Sequence, residues 1–531
     1  MDQSGAKRGQ FMDGTMTRNG MARAKGAGPF RLPLQGLRSY WPVLALMLAA
    51  LVIRAPIYGN PDYHLDEEFY LLVGDRMWQG WLPYVDIWDR KPIGLFLIYA
   101  FARAFGGEGV VQYQLLASLC AGGTAALIWA MARRHSGSFA GMSAGVAYLF
   151  WLILFSGGAG QSPVFYNLLI AAAAWSVLRA QERADSGYTA RLSLWAMLAC
   201  GVTLQIKYTA LPEGVFIGCW FLWLLWRQGM GAARIAGHAL VMALVALAPT
   251  LLAVGFYAAI GHLDAFLYAN IFSVFHRGYL GDDFMARAWD FFSRITIPLG
   301  IAIAFGLMTI WPTARRDQIA FMLGWLAAAI AGFAMIGNYY DHYFIPVLPP
   351  AFVLAAAALR RTPVGTGMTA VLIGWAAIGH FPDTAFFQRQ GRDVRDLARA
   401  TAPYVQDRCL FIYDGPSAVY LLTHACIPTR YVYPDHLSNA VERHAIGVEP
   451  VAEMRRVLAS RPGAIITANV PNIPHVNKDT APMVLSTLAR DYVCVAAVKT
   501  PVRTFYVHAL RQLVPGTVRP LRCRSDYSDG R

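Results

Sequence analysis

Long apolar runs recur along the chain, separated by short polar segments that carry arginine. Runs near the ~20 residues a membrane helix needs fall at 40–58, 110–131, 139–157, 164–180, 192–210, 212–226, 237–260, 291–311 and 318–336. Two more follow, one closing at Arg360-Arg361 and one over 364–381. The pattern predicts about eleven membrane helices. Pro92 to Phe105 is also apolar, but its roughly 14 residues fall short of a span. It reads as a re-entrant or juxtamembrane helix over 92–105 on the outer side. Alternate gaps hold Arg133-Arg134-His135, Arg179 with Arg183 and Arg191, Arg227 with Arg234, Arg315-Arg316 and Arg360-Arg361. Such clusters mark the cytoplasmic side. A miscounted early span would flip the later loops and break this alternation. The first run has a basic flank before it and an acidic flank after it, so it runs outward. Segments 59–91, 261–290 and 337–343 then share the outer face.

After residue 381 the pattern changes. Short β-like runs such as Cys409–Tyr413, Ala464–Thr467 and Phe505–Val507 alternate with helical ones such as 451–460 and 483–490. That alternation predicts a small α/β domain over 382–531. An odd number of spans leaves it outside, where a disulfide can form. Cys409 with Cys426 is the candidate pair, and unpaired cysteines are the alternative. The chain thus divides into a basic tail over 1–37, a membrane domain over 38–381 and the outer domain. The tail, with Lys7, Arg8, Arg18, Arg23, Lys25 and Arg31, shows no cleavage signal and reads as cytoplasmic.

Composition agrees with a polytopic membrane protein. The chain is 56% hydrophobic and 15% charged, against about 25% charged in soluble domains. The net charge of +14 resides in the short loop clusters, which argues against a nucleic-acid partner. There is no CxxC pair to suggest zinc and no GxxxxGK[ST] loop to suggest a nucleotide-driven pump. Ionisable residues are scarce in mid-span. A lipid or glycan transporter or flippase, the alternative function, would need them there. A noncatalytic scaffold would leave the outer-loop carboxylates unexplained.

Those carboxylates are the candidate chemistry. Asp62, Asp66, Glu67, Glu68, Asp75, Asp86 and Asp89 lie in one outer loop with Arg76, Arg90 and Lys91. Lys207 closes a span on the same side, and Asn338 to Tyr343 adds tyrosines and His342. Sugar transfer to a hydroxyl or amine needs a proton acceptor and positive charge on a leaving phosphate. Carboxylates facing Lys or Arg would supply both, although a solvated loop has the same composition. Lys91 and Lys207 have a second reading as interfacial lysines, and His342 and Tyr343 as aromatic-belt residues. His64 reads as a surface or packing residue. His276, Arg277, Asp282 and Asp283 lie in a loop that could gate the acceptor. Trp220, Trp223 and Trp226 read as lipid-facing or packing surface. Asp414, His424 and His436 show no spacing that implies chemistry.

The order Asp66-Glu67, Tyr70, Gly80, Pro83-Tyr84, Asp86, Asp89, Lys91-Pro92 resembles the first outer loop of the GT-C integral-membrane glycosyltransferases. His342-Tyr343-Phe344-Ile345-Pro346-Val347-Leu348-Pro349-Pro350 is similar to a second segment of the same group. The branch is the protein O-mannosyltransferase-like one, with the bacterial lipid A aminoarabinose transferases and the rhizobial galacturonosyltransferases. The resemblance covers about residues 40–360. It implies a polytopic all-α bundle of about 11 transmembrane helices in a bacterial inner membrane, with the small α/β domain in the periplasm. It implies a polyprenyl-phosphate sugar donor and a lipid A, lipopolysaccharide, other envelope glycan or protein acceptor. It implies Asp66 as the residue that orients or deprotonates the acceptor, with Glu67 beside it and Asp89 as a further acidic site residue. Lys91 becomes a donor-phosphate contact, joined by a tyrosine such as Tyr340 or Tyr343 and by His342. No metal ligand and no required cofactor follow, though such carboxylates can hold a divalent cation. The chain departs from the aminoarabinose transferases at Phe69, where they carry arginine, and at Ile93, where they carry a second proline. Arg90 or Lys207 would then complete the phosphate site.

Overall fold

The computed structural model describes residues 34–278, 281–335, 339–378, 383–473 and 475–527. Of its first fifteen α-helices, most follow the apolar pattern. The fifteen begin with α1 Leu34–Arg54, α2 Leu65–Met77, α3 Ile93–Arg103, α4 Val110–Ser136, α5 Ser138–Leu154, α6 Ser162–Glu182, α7 Ser186–Leu204 and α8 Leu211–Arg227. Then come α9 Ala232–Ala259, α10 Leu263–Leu267, α11 Asp282–Ile295, α12 Ile297–Ile310, α13 Arg316–Ala334, α14 Leu348–Ala355 and α15 Pro363–Ala377. Of these, α2, α10 and most of α11 form in the polar segments 59–91 and 261–290.

The predicted spans overlap helical segments, although 291–311 falls on two helices and the span before Arg360 on three short segments. Among the described residues, 7 helical segments are long and apolar enough to cross a membrane alone, and α11 with α12, bent by 50°, would make an eighth. The break lies at Thr296, inside the run predicted as one straight span. Helices α5 and α15 are apolar but shorter than 18 residues. Helix α3 has 11 residues, about 17 Å of rise against a hydrocarbon core of about 30 Å, so it cannot cross. Trp220 packs on Trp223 and Phe321, while Trp226 is exposed.

Two glycines set the geometry that matters for the site. A Cβ on Gly74 would lie 2.6 Å from the Ala100 amide nitrogen, so α2 rests directly on the α3 backbone. A Cβ on Gly94 would lie 2.6 Å from the Gln205 carbonyl oxygen. That same carbonyl accepts from the Leu95 amide at 3.0 Å. Small residues allow such close backbone approach. Here it brings the segment carrying Lys91 against the segment carrying Lys207.

From Pro42 onward the chain is one compact unit. Its C-terminal part holds α16 Thr384–Thr401, α17 Ala418–Thr423, α18 Asp435–Ser438, α19 Pro450–Ala459 and α20 Thr480–Asp491. The strands β1 Leu410–Ile412, β2 Ala464–Ala468, β3 Tyr492–Lys499 and β4 Thr504–Leu510 form one sheet in the order β1-β2-β4-β3. The β1–β2 pair is parallel and the other two are antiparallel. All residues of β1 and β2 are buried, β2 inside the sheet and β1 at its edge. Cys409 is bonded to Cys426, and Cys494 to Cys523. This part docks on the first outer loop through backbone and side chain alike. The Trp88 amide donates to the Arg430 carbonyl at 2.9 Å, and the Arg76 guanidinium to the Ala425 carbonyl at 2.9 Å.

Candidate active site

The site begins at the N-terminus of α2. His64, in extended conformation, caps the helix by accepting the Asp66 amide on its ring at 3.2 Å. Asp66, Glu67 and Glu68 fill the first turn, where unpaired amides and the helix dipole favour negative charge. Successive helix positions point in different directions, so the three carboxylates meet three environments.

Asp66 faces the cations. Its Oδ1 accepts from the Tyr433 hydroxyl at 3.0 Å, and its Oδ2 lies 4.0 Å from His342 Nε2. Burial alone would raise its pKa, but Lys91, His64, His342 and Lys207 together hold it well below the usual carboxylate range. Glu67 is fully buried and points the other way, towards the Gly160 amide, Arg54 and Tyr113. Neither of its oxygens has a hydrogen-bond partner among the described residues. Burial pushes it up to about 8, against the pull of the Gly160 amide and Arg54. It is therefore mostly neutral at pH 7. Glu68 accepts from the Ala418 amide at 3.0 Å. Burial, together with its neighbour Asp62, raises it well above the ordinary range.

The turn 157–163 closes the chamber behind Glu67. Arg54 fixes it by donating to the Gly157 carbonyl at 2.8 Å and the Ala159 carbonyl at 2.5 Å. Tyr99 donates to the Gly160 carbonyl at 2.7 Å.

Lys91 is placed by local backbone chemistry. Its amide donates to Asp89 Oδ1 at 2.8 Å, a local turn that a short carboxylate side chain can close. Its carbonyl accepts from the Tyr84 hydroxyl at 2.8 Å. Tyr84 itself is buried with φ of 71°, a left-handed conformation that a bulky residue adopts only when its surroundings hold it there. Tyr257 and Phe266 pack on its ring. The Lys91 ammonium sits 4.0 Å from Asp89 Oδ1 and 5.4 Å from the Tyr70 ring centre. Burial works against its charge, but Asp89 and Asp66 raise its pKa.

Lys207 follows α7 and is 6% exposed. Its ammonium lies 3.8 Å from the Tyr343 ring centre, and it has no ion-pair partner among the described residues. Burial, then the nearby Lys91 charge, pushes it down to about 7, with Asp66 opposing. Tyr340 stacks on His342 at 5.9 Å, and Tyr343 meets His342 edge-on at 4.8 Å.

Most residues expected from the sequence therefore converge: Asp66, Asp89, Lys91, Lys207, Tyr340, His342 and Tyr343. Two stand differently. Glu67 occupies the chamber behind the cluster. Arg90, expected as a phosphate contact, is committed to Glu442 through both terminal nitrogens, one at 3.0 Å. Arg277 joins the same carboxylate at 2.8 Å, so the residue expected in a gate is tied down. Tyr279 and Asn338 lie outside the described residues, as do the side chains of Asp282 and Asp283.

The C-terminal part supplies what spacing did not reveal. Tyr433 bonds Asp66. His436, buried, lies 4.0 Å from Asp89 Oδ2 and 4.7 Å from the Trp88 ring centre. Burial pushes His436 down to about 4, against Asp89 and Glu442, so it is neutral. Phe69 packs on Tyr433 and His436. Asp414, by contrast, pairs with Arg503 at 2.7 Å, and His424 is exposed. No group of three or more potential metal ligands occurs among the described residues.

Residues 89–252 match the family described as dolichyl-phosphate-mannose-protein mannosyltransferase. With the helical bundle and the outer cluster, this defines the class: the chain has the GT-C fold, in the form found in the aminoarabinose transferase group. Within that class it is similar to ArnT from Cupriavidus metallidurans. Against the structure bound to undecaprenyl phosphate the TM-score is 0.61 at 15% identity, covering 91% of this chain and 100% of that one. Against the apo structure the TM-score is 0.60 at 15% identity, covering 90% and 99%. A curated relative in sequence is the undecaprenyl phosphate-alpha-4-amino-4-deoxy-L-arabinose arabinosyl transferase 1 of Pseudomonas fluorescens (strain Pf0-1). It is 26% identical over 338 residues, which are 59% of this chain and 57% of that protein's length.

Proposed function

We propose that this protein is a glycosyltransferase of a bacterial inner membrane. It takes a sugar from a polyprenyl-phosphate donor and passes it to lipid A, lipopolysaccharide or another envelope acceptor on the periplasmic face. Its N-terminus is cytoplasmic and its C-terminal domain periplasmic, the side on which two disulfides are stable. The observation that carries the reading is the buried pair Lys91 and Lys207 facing an ionised Asp66. Among the described residues Lys207 has no ion-pair partner of its own, so its charge is left open for a ligand. A phosphate supplies the counter-charge, and both relatives that the chain resembles are named for undecaprenyl phosphate or a sugar carried on it.

In this scheme Lys91, Lys207, Tyr343 and Tyr340 hold the donor phosphate as it becomes the leaving group. His342 spaces Lys207 from Asp66. Asp66 accepts the proton of the attacking hydroxyl or amine. Its low pKa makes it a poor base in the empty site. A bound phosphate cancels the lysine charges that keep that pKa low, so donor binding itself raises its basicity. Asp89 keeps Lys91 in place, and neutral Glu67 supports the first turn of α2 without adding a second charge.

The test uses Asp66→Asn and Lys91→Ala proteins in membranes supplied with a polyprenyl-phosphate sugar, scoring transfer and donor binding. The expected result is loss of transfer in both and loss of donor binding in Lys91→Ala. Undiminished transfer by both would overturn the assignment. Translocation of the sugar lipid without transfer would favour the transporter reading. We further propose that no divalent cation is required, since the lysines carry the phosphate charge. Transfer that stops in EDTA and resumes with added Mg²⁺ would refute this.

A further inference from the structure

A second cavity lies on the outer side, between the first outer loop and the C-terminal domain, with a volume of about 440 Å³. That is within the range of roughly 300–1,000 Å³ typical of small-ligand sites. Trp81 and Asp86 line it from the loop, and Thr429, Arg430, Glu453 and Arg456 from the domain. The reaction cluster does not line it, so it needs its own explanation.

The open valences define what fits. Glu453 is already engaged, accepting from Thr429 at 2.5 Å and pairing with Arg456. Arg430, exposed, donates to the Tyr431 hydroxyl at 2.8 Å and 3.0 Å and lies 5.1 Å from the centre of that ring. Asp86 accepts one backbone amide, from Leu82 at 2.8 Å. Neither Arg430 nor Asp86 has an ion-pair partner among the described residues, although both line the same cleft. Trp81 is half-buried; Arg76 lies over one face of its ring, 5.7 Å from the centre, and its indole N–H has no partner among the described residues. The cleft thus offers an aromatic face, an indole donor, a free guanidinium and a free carboxylate. Its formal charge is balanced, two acids against two arginines. A phosphate-rich ligand would need a cationic lining. An apolar side chain would leave the carboxylate and guanidinium unpaired, at a cost. A polyol satisfies all of them: its C–H face stacks on the indole, and its hydroxyls give to Asp86 and receive from Arg430.

The cleft also adjoins the reaction cluster. Tyr431, at its inner wall, packs on Trp88 at 5.7 Å. Trp88 packs on His436, and His436 reaches Asp89. Trp88 and His436 thus stand between the wall of the cleft and Asp89.

We propose that this cleft binds a saccharide, the sugar portion of the acceptor away from the atom that reacts. The proposal rests on the transferase reading and adds the place where the sugar portion of the acceptor docks. The test titrates the full-length protein, in lipid nanodiscs, with lipopolysaccharide core oligosaccharide freed of its lipid. Wild type binds it. Trp81→Ala and Arg430→Gln each weaken binding by about tenfold or more, Trp81→Phe keeps most of it, and affinity for undecaprenyl phosphate stays unchanged in all three. The same variants raise the acceptor KM by a similar factor. Wild type that transfers sugar to intact acceptor yet ignores the free oligosaccharide would overturn the proposal, as would Trp81→Ala and Arg430→Gln proteins that bind normally. Oligosaccharide binding through Trp81 without transfer from any donor would instead sink the transferase reading, and the acceptor assignment with it.

Discussion

Two pairs of cations sit within the outer face, and they are treated in opposite ways. Arg90 and Arg277, from segments far apart in sequence, converge on Glu442 of the C-terminal domain. Both raise each other's cost, and one carboxylate settles it. Burial would raise the pKa of Glu442, but the two arginines pull it down to about 2. Lys91 and Lys207 also converge, but Asp89 stands 4.0 Å from one and, among the described residues, no carboxylate pairs with the other. Enclosed charges without partners are costly. A fold that satisfies one pair with its own carboxylate could have satisfied the other. The difference separates a clasp, complete within the protein, from a site completed by a ligand. Arginine suits the first role through its rigid fork, and lysine the second as a point charge.

The largest expected effect falls on the open side. Asp66→Asn keeps the size and the Tyr433 contact but cannot take a proton. General-base losses run at about 10²- to 10⁴-fold, so transfer should drop by that factor with donor binding retained. The measurement is a single-turnover transfer rate at saturating donor. A drop below about tenfold would assign the base elsewhere. On the closed side, Glu442→Ala leaves Arg90 and Arg277 enclosed without a counter-charge. Breaking such a pair costs about 3–5 kcal/mol. A lower melting temperature in nanodiscs, with Glu442→Gln in between, checks it. If Glu442→Ala melts like wild type, the clasp contributes nothing to stability.

What the sequence revealed follows from the range of its signals. Apolar runs and arginine clusters act over a single helix, so the apolar helices were legible, and so was the acidic cluster at Asp66, whereas α2, α10 and most of α11 lie in segments read as loops. The break at Thr296 was not legible, because bending a helix pair leaves the run equally apolar. The sides of α2 were only half legible. Three adjacent acids announce a site, but which one meets the lysines depends on how α2 sits on α3 through Gly74. The contribution of the C-terminal domain was invisible. Tyr433 reaches Asp66 across 367 residues, and no periodicity encodes that contact. Phe69 shows the same thing. Read alone it is a lost arginine, while in the fold it packs on Tyr433 and His436 and so ties α2 to the domain.

The comparison sharpens further if the lysines are removed one at a time. A hydrogen bond to a charged group contributes about 1.5–3 kcal/mol, so Lys207→Met should weaken donor binding by roughly 10- to 100-fold. Lys91→Met should do the same. Lys207→Met should not lower the melting temperature, because it removes an enclosed charge that has no ion-pair partner among the described residues, whereas Lys91→Met should lower it, because it leaves Asp89, 4.0 Å away, and the ionised Asp66 without that charge. Calorimetric titration with a polyprenyl-phosphate sugar, paired with thermal denaturation, separates the two effects. A Lys207→Met protein that loses stability as Glu442→Ala does would make Lys207 a structural residue after all.

The smallest effect is a pH dependence, and its sign follows from Lys207. Burial, then Lys91, lowers this lysine to about 7, so in the empty protein it is charged below that pH and neutral above it. The donor phosphate binds the charged form and raises the pKa in the complex. Affinity should therefore be level below about pH 7 and fall above it, by up to about tenfold per unit, until the pKa of the complex is reached. A phosphodiester donor keeps one charge throughout this range, so the titration belongs to the protein. Glu67, at about 8, would gain negative charge at higher pH and push in the same direction. Lys207→Arg separates the two, since arginine stays charged while Glu67 is untouched. Its affinity should stay level through pH 7 and bend only near 8. A wild-type affinity that is flat from pH 6 to 9 would show that Lys207 keeps its proton in the empty site, and the contrast between the two cation pairs would then rest on geometry alone.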